Sequence, residues 1–385
     1  MNKIKIFVKY RILIIELLTA LSLLPVACFS FLKLTDYSWV IILLYSLILL
    51  LFIGLNSKSD NVKIFFYNLA AICFALFLYE TSLFLRQPKT EFQQKIEGKK
   101  HISEHLYLGY GNTIDGSFIN KKYINNELIY DVTYHFRNGL RTIINSNDTS
   151  RNYIMFFGGS ITFGEGLNDT LTLPYFINLY AGNNYNILNY AFSGYGPHQM
   201  LANIEHRVNQ DIKDFSGEKI AVYTYLPYDH VMRAAGYTSW DRHGPKYEFI
   251  SGDLKFVGPI SRLPDGIHYI LSQSYTFKKF AFQRTPNKKD LIRAIEIIKK
   301  SNHLLSLMDV DFIILVRGKF QSEEDKKLFL SEMRKASISV TFIPEAIPDF
   351  YDNKLNYSIH KFDNHPNGLA NSIIAKYLFE NYINN

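Results

Sequence analysis

Three apolar stretches open this chain, and they restrict its architecture more than anything that follows them. They run from about Ile12 to Leu32, Trp39 to Leu55 and Ile64 to Leu85. Each is close to the ~20 residues that a helix needs to cross a hydrocarbon core of roughly 30 Å. A buried helical core is the competing reading, but only short polar loops separate the three stretches. The first stretch alone could be a cleaved signal peptide, yet no small-residue cleavage site follows it. Glu16 sits near the start of the first span, where it can snorkel or pair with Arg11. Asn68 and Glu80 lie near the two ends of the third span and are tolerated there for the same reason. Lys3, Lys5, Lys9 and Arg11 precede the first span, and Lys58 and Lys63 fall between the second and third; the loop between the first two holds only Lys33. This asymmetry places the N-terminus and the second loop in the cytoplasm and everything after Arg86 on the opposite side. The expectation is an integral protein of a bacterial inner or plasma membrane, with its large domain outside the cytoplasm.

The 385 residues leave room for one further domain of ordinary size. A composition 48% hydrophobic and 15% aromatic supports a packed core rather than disorder. The net charge of +7 favours anionic headgroups or acidic glycans as partners. Nucleic acid is not expected, because no basic helix, zinc-finger spacing or aromatic-basic strand motif is present. Cys28 and Cys73 are the only cysteines, and both lie in apolar runs. The soluble part therefore has neither a disulfide frame nor a cysteine metal site. A lipoprotein reading of Cys28 would need Leu three positions earlier, where Pro25 stands.

Three regions follow: residues 1–86 as the membrane anchor, 87–150 as a linker and small β extension, and 151–385 as the main domain. Residues 87 to about 105 are polar and charged and read as a linker. The alternating run from Leu128 to Tyr134 signals a strand in a small β extension with no legible chemistry. From Asn152 short apolar strands alternate with helices. Strands are expected at Tyr153–Phe157, Tyr185–Tyr190, Lys219–Leu226, Asp311–Val316 and Ser337–Ile343. Helices are expected over Thr172–Tyr180, Gln199–Asn209, Ser322–Lys335 and about Asn367–Tyr382, with two long ones across Leu263–Met308. Such alternation implies a parallel sheet covered on both faces, with its site at the carboxyl ends of the strands. Lys246–Ile250 and Leu254–Val257 flank Ser-Gly-Asp and read as a hairpin near the site mouth.

The first of these strands runs into Gly158-Gly159-Ser160, a turn in which glycines permit close backbone approach and the serine Oγ can stand exposed. Glycine-rich turns of this kind also bind phosphate. Here the dinucleotide pattern finds no match, and Glu165 stands where a phosphate-loop lysine must be. At the far end of the chain, Asp363-Asn364-His365-Pro366 precedes the last helix. His365 can act as general base there, with Asp363 fixing its tautomer; alone, Asp363 reads equally as a helix-start turn. A nucleophile, a base and an orienter ending at one sheet edge make an acyl-transfer site. His198, His206, His243, His268, His303 and His360 lack metal-ligand spacing and read as structural.

These motifs resemble the SGNH/GDSL hydrolase family over residues 150–385. Gly158-Gly159-Ser160 is similar to its first block, Ala191 to Gly196 to its second, and Asp363 and His365 to its last. The resemblance implies a flavodoxin-like three-layer α/β sandwich with a parallel sheet, here preceded by three transmembrane helices. It implies Ser160, Asp363 and His365 as the catalytic residues, with the Ser160 and Gly194 amides in the oxyanion hole. Two departures stand out. Asp and His are two apart rather than three. The third block normally offers an asparagine, but the chain reads Leu226-Pro227-Tyr228-Asp229-His230, which leaves Asp229 or His230 for that place, and only His230 can donate without first taking up a proton. The implied function is a cofactor- and metal-free esterase that removes acyl groups, acetyl above all, from a cell-envelope or extracellular carbohydrate or a lipid-linked substrate. The alternatives are an O-acyltransferase working with a membrane partner, and a non-catalytic glycan-binding or assembly module.

Overall fold

A computed structural model describes residues 38–87, 93–98, 102–212 and 216–384. The first apolar stretch, with Arg11, Glu16 and Cys28, lies outside the described residues. The chain divides into two compact units. One comprises Met1–Lys89 and Leu263–Gln283, and the other Thr90–Arg262 and Arg284–Asn385.

In the first unit, apolar runs unbroken by glycine or proline pairs form helices over Ser38–Asn56 and Asp60–Leu85. At 1.5 Å per residue these are ~28 and ~39 Å long. Both are long and apolar enough to cross a membrane. Leu44, Ile48, Phe65, Ile72 and Leu78 are exposed along them, an arrangement that costs free energy in water and none in hydrocarbon. Glu80 does not snorkel as expected. It is 1% exposed, and its carboxylate accepts from Ser274 Oγ at 3.0 Å, the Tyr275 amide at 2.6 Å and the Thr276 amide at 2.8 Å. The reason is electrostatic: the unpaired amides at the start of the helix Tyr275–Ala281 supply the donors that a buried carboxylate needs.

The two long helices expected across Leu263–Met308 resolve differently. Short helices at Asp265–Ser272 and Tyr275–Ala281 belong to this first unit, and one long helix, Lys288–Ser306, belongs to the second. Local capping draws these boundaries. Ser274 Oγ accepts from the Phe277 amide at 3.1 Å. Asn287 Oδ1 accepts from the Lys289 and Asp290 amides, while Asp290 reaches back to the Asn287 amide.

The second unit opens with strands β1 (Gln94–Gly98), β2 (Ile102–His105), β3 (Gly109–Asn112), β4 (Gly116–Ile124), β5 (Glu127–Arg137) and β6 (Leu140–Arg141). Part of the expected linker is therefore sheet. The order β1-β4-β5-β6 is antiparallel throughout, and β2 pairs with β3. Asn125 and Asn126, both at positive φ, form the β4–β5 turn, as a tight hairpin requires. The inner face, with Phe118, Val132, Tyr134 and Phe136, packs on Phe163 and Phe192.

The main sheet comprises β7 (Tyr153–Phe157), β8 (Asn186–Asn189), β9 (Lys219–Tyr225), β12 (Asp311–Val316) and β13 (Ser339–Phe342), all parallel, in the order β13-β12-β9-β7-β8. Alternation along each strand creates two cores. Met155, Phe157, Tyr223, Ile314 and Val316 face the helices Pro197–Asn203, Pro227–Ala235, Lys288–Ser306 and Glu323–Lys335. Ile154, Phe156, Val222 and Leu315 face Leu173–Tyr180 and Gly368–Leu378. This is the expected three-layer sandwich. Its first strand, β7, lies between the second and third, so the direction of winding reverses beside β7, where a crevice opens at the strand ends.

Candidate active site

Phe157 ends β7, and the chain turns sharply. Gly158 adopts φ +148°, and a Cβ there would come within 2.5 Å of Thr162 Oγ1. The helix Ser160–Phe163 starts at the serine, and Gly164 ends it in the left-handed conformation. Ser160 is thus the first helical residue, on amides that lack intrahelical acceptors. The second block lies against this turn: the Phe192 amide donates to the Gly158 carbonyl at 3.3 Å, and Asn189 Nδ2 donates to the Thr162 carbonyl at 3.3 Å.

The C-terminal motif meets it. Strands β14 (Ser358–His360) and β15 (Asp363–Pro366) form a small hairpin. Asn367 caps the final helix through the Ala370 amide. His365 Nε2 lies 2.8 Å from Ser160 Oγ, and His365 Nδ1 lies 2.5 Å from Asp363 Oδ1. The same Asp363 oxygen accepts the His365 backbone amide at 3.0 Å. That local turn explains the two-residue spacing: the aspartate bonds both the amide and the ring of the second residue on.

The β extension carries chemistry that the sequence did not reveal. Lys122 Nζ on β4 donates to Asp363 Oδ2 at 2.9 Å, so both carboxylate oxygens are held. Burial works to raise the Asp363 carboxyl, but the hydrogen bond and charge of His365, the Lys122 ammonium and the His365 amide together hold it well below the usual carboxylate range. Arg141, on β6, is completely buried. It donates to Asp169 at 2.8 Å and to the carbonyls of Phe163, Gly164 and Leu167, and its guanidinium lies 4.5 Å from the Tyr134 ring centre. Burial lowers its pKa and the Asp169 carboxylate opposes that. Arg141 thereby braces the segment that follows Ser160. In sequence nothing sets Lys122 and Arg141 apart, and no spacing rule would have marked them.

Among the other expected site residues, Gly194 sits in the left-handed region at φ +85°. A Cβ there would meet Tyr110 Oη and, at 2.7 Å, Trp240 Nε1. His230 is fully buried. Its Nδ1 accepts from Tyr223 Oη at 2.6 Å and from the Leu226 amide at 3.4 Å, which puts the ring proton on Nε2. Burial, with Arg233 and His198 nearby, lowers its pKa well below the ordinary histidine value, so the ring is neutral. Nε2 has no partner and lies 3.7 Å from where a Gly159 Cβ would be. Arg233 stands closer still, at 2.7 Å from that point, and donates to the Tyr195 carbonyl at 2.7 Å. His198, expected to be structural, pairs with Asp241 at 2.6 Å in a buried contact.

Ser160 and His365 line one cavity of ≈ 720 Å³ together with Asp229, Arg233 and Arg317. Gly194 and His230 do not line it, and nor does any residue of the hairpin β10 (Pro245–Ile250) and β11 (Asp253–Pro259). The hairpin forms as expected, but it is not at this cavity's mouth. It packs instead on the helices Pro197–Asn203 and Lys288–Ser306, with Tyr247 in the core.

A doubly wound α/β unit with a serine–histidine–aspartate chain at its switch point is the class of protein these features define. No family model matches the chain, and no curated protein matches it. Solved structures to which it is similar include a lipolytic protein of the G-D-S-L family from Veillonella parvula, with 15% identity over 60% of this chain and 97% of that one and a TM-score of 0.36. A variant of an acetyl-xylooligosaccharide esterase from a Geobacillus shares 11% identity over 60% of this chain and 94% of that one, TM-score 0.34. An acetyl xylan esterase from Butyrivibrio proteoclasticus shares 12% over 75% and 98%, TM-score 0.32.

Proposed function

We propose that this chain is a membrane-anchored serine esterase acting on acyl, above all acetyl, esters of a carbohydrate of the cell envelope or its surroundings. The observation that carries the reading is the continuous line Ser160 Oγ–His365–Asp363, at 2.8 and 2.5 Å. Ser160 Oγ attacks the ester carbonyl while His365 Nε2 takes its proton, and Asp363 holds the Nδ1–H and stabilises the imidazolium. The tetrahedral intermediate then expels the sugar alkoxide, which receives that proton from His365, leaving Ser160 acylated. Water repeats the sequence: His365 takes its proton, the acid departs, and Ser160 Oγ is reprotonated. The Ser160 amide, at the first helical position beside the cavity, is the backbone donor to the oxyanion; Gly194, expected to supply a second, does not line that cavity. Arg233, which lines the cavity with Ser160, is the side-chain donor that stands in for the absent asparagine, with the unpartnered His230 Nε2–H buried near Gly159. Two helices long and apolar enough to cross a membrane support the anchoring, and lysine asymmetry supports an extracytoplasmic catalytic unit.

Labelling of the detergent-solubilised full chain with a fluorophosphonate tests this. An adduct on Ser160 that is lost in Ser160→Ala and strongly slowed in His365→Gln is expected. An intact, folded chain that forms no Ser160-dependent adduct would exclude the esterase.

A further inference from the structure

The cavity beside Ser160 carries more positive charge than the acyl-transfer steps use. Lys122, Arg233, Arg317, Lys319 and Lys354 line it, against Asp229 and Asp363. Lys122 is spent on Asp363, and Arg233 serves the oxyanion. Lys319 and Lys354 are exposed and would be ordinary surface cations if they stood alone. Arg317 is different. It is nine-tenths buried, and its Nη2 donates to the Asn364 carbonyl, but its Nη1 is buried without any partner. The Phe350 ring centre lies 5.2 Å from the guanidinium carbon. A buried guanidinium edge with an unmet donor, in a cavity wall and among further cations, is an arrangement suited to a planar or tetrahedral oxyanion.

Placement in the fold supports this. Arg317 directly follows β12, and its amide donates to the Tyr225 carbonyl at the end of β9 at 2.9 Å. In the sheet, β12 is two strands from β7, the strand that presents Ser160. Two strand spacings are ~10 Å, the span of one or two sugar rings. Resting on the esterase reading, we propose that Arg317, with Lys319 and Lys354, forms an anion subsite. It binds a carboxylate or phosphate carried by the same or the neighbouring sugar as the acyl ester, so the substrate is an acylated acidic glycan rather than a neutral one.

The test is binding rather than turnover, so that it stands apart from the hydrolysis reading. The full chain carrying Ser160→Ala is titrated calorimetrically with O-acetylated oligogalacturonate, with O-acetylated xylo-oligosaccharide and with oligomeric glycerol phosphate. At least one anionic probe is expected to bind about tenfold or more tightly than the neutral one, with the preference falling steeply between about 50 and about 500 mM salt. Preference for galacturonate identifies the carboxylate, and preference for glycerol phosphate the phosphate. Arg317→Gln should remove most of the preference, and Lys319→Gln with Lys354→Gln a smaller part. Equal affinity for charged and neutral probes overturns the proposal, as does a preference that Arg317→Gln leaves intact. Should Arg317→Gln fail to fold, salt-independent binding by the parent, or a full preference in the double lysine variant, overturns it equally. Anion preference without a fluorophosphonate adduct on the wild-type chain would sink the hydrolase and leave the subsite standing.

Discussion

Replacing Lys122 with methionine is the sharpest probe of how the β extension serves the site. The Lys122 and Asp363 side chains are 13% and 2% exposed, and their charged atoms are 2.9 Å apart. A hydrogen bond between charged groups contributes about 1.5–3 kcal/mol net. Breaking a buried pair from one side costs about 3–5 kcal/mol. Asp363 keeps the two bonds from His365, so the lower half of that range, about 3 kcal/mol of destabilisation, is expected. The pH dependence has a defined sign. The Asp363 carboxyl is depressed in the folded chain, so its stabilisation is present above the unfolded value near ~4 and is lost only as pH falls through the lower folded value. Without Lys122 the folded value rises, and stability is lost at higher pH than in the parent. The same deletion removes a positive charge beside the reacting pair, so the acid limb of kcat/KM should move upward in pH. Melting curves from about pH 2 to about pH 8 and p-nitrophenyl acetate hydrolysis from about pH 4 to about pH 8 measure both, with Lys122→Arg as the charge-retaining control. A variant with the parent's melting curve and an unmoved acid limb would refute the idea that Lys122 sets the state of Asp363.

Further outcomes follow from other parts of the structure. Arg141→Met strands three carbonyls and leaves Asp169 with His135 as its remaining side-chain partner, so urea unfolding should show a loss of about 3 kcal/mol; a loss below about 1 kcal/mol would mean that Arg141 does not brace the segment after Ser160. His230→Gln should lower kcat by about 10²-fold with KM little changed if Nε2–H meets the oxyanion, and an unchanged kcat would assign that role to Arg233 alone. Gly158→Ala forces a side chain into the left-handed region and against Thr162, at a cost of about 1–3 kcal/mol in melting experiments, with slower Ser160 labelling. Glu80→Ala removes the acceptor from three donors, so protease cleavage within residues 263–283 should quicken about tenfold; an unchanged cleavage rate would show that this carboxylate does not hold the segment.

The strands β7, β9 and β12 were legible because each is a short apolar run between turn residues, and a doubly wound sheet buries both faces of such runs. The Gly158-Gly159-Ser160 turn and the Asp363/His365 pair were legible for a related reason: their function depends on local backbone geometry, which neighbouring residues encode. The alternation from Leu128 to Tyr134 announced a strand and nothing about its use. The break at Gln273-Ser274 was hidden within a helical pattern, because capping by Ser274 and by the distant Glu80 overrode the local periodicity.

The sequence by itself determined two apolar helices of membrane-crossing length, the parallel α/β layering and the identity of the serine, histidine and aspartate. Those depend on hydrophobic period and on contacts within a few residues. Only the tertiary structure decided that Lys122 holds the second oxygen of Asp363 from a separate sheet, that Arg141 fastens the segment after Ser160, and that Arg317 lines the cavity with one guanidinium nitrogen unpartnered. Each of these is a charge whose meaning depends on what it is buried against, and burial against a partner more than 20 residues away leaves no periodic trace in the chain.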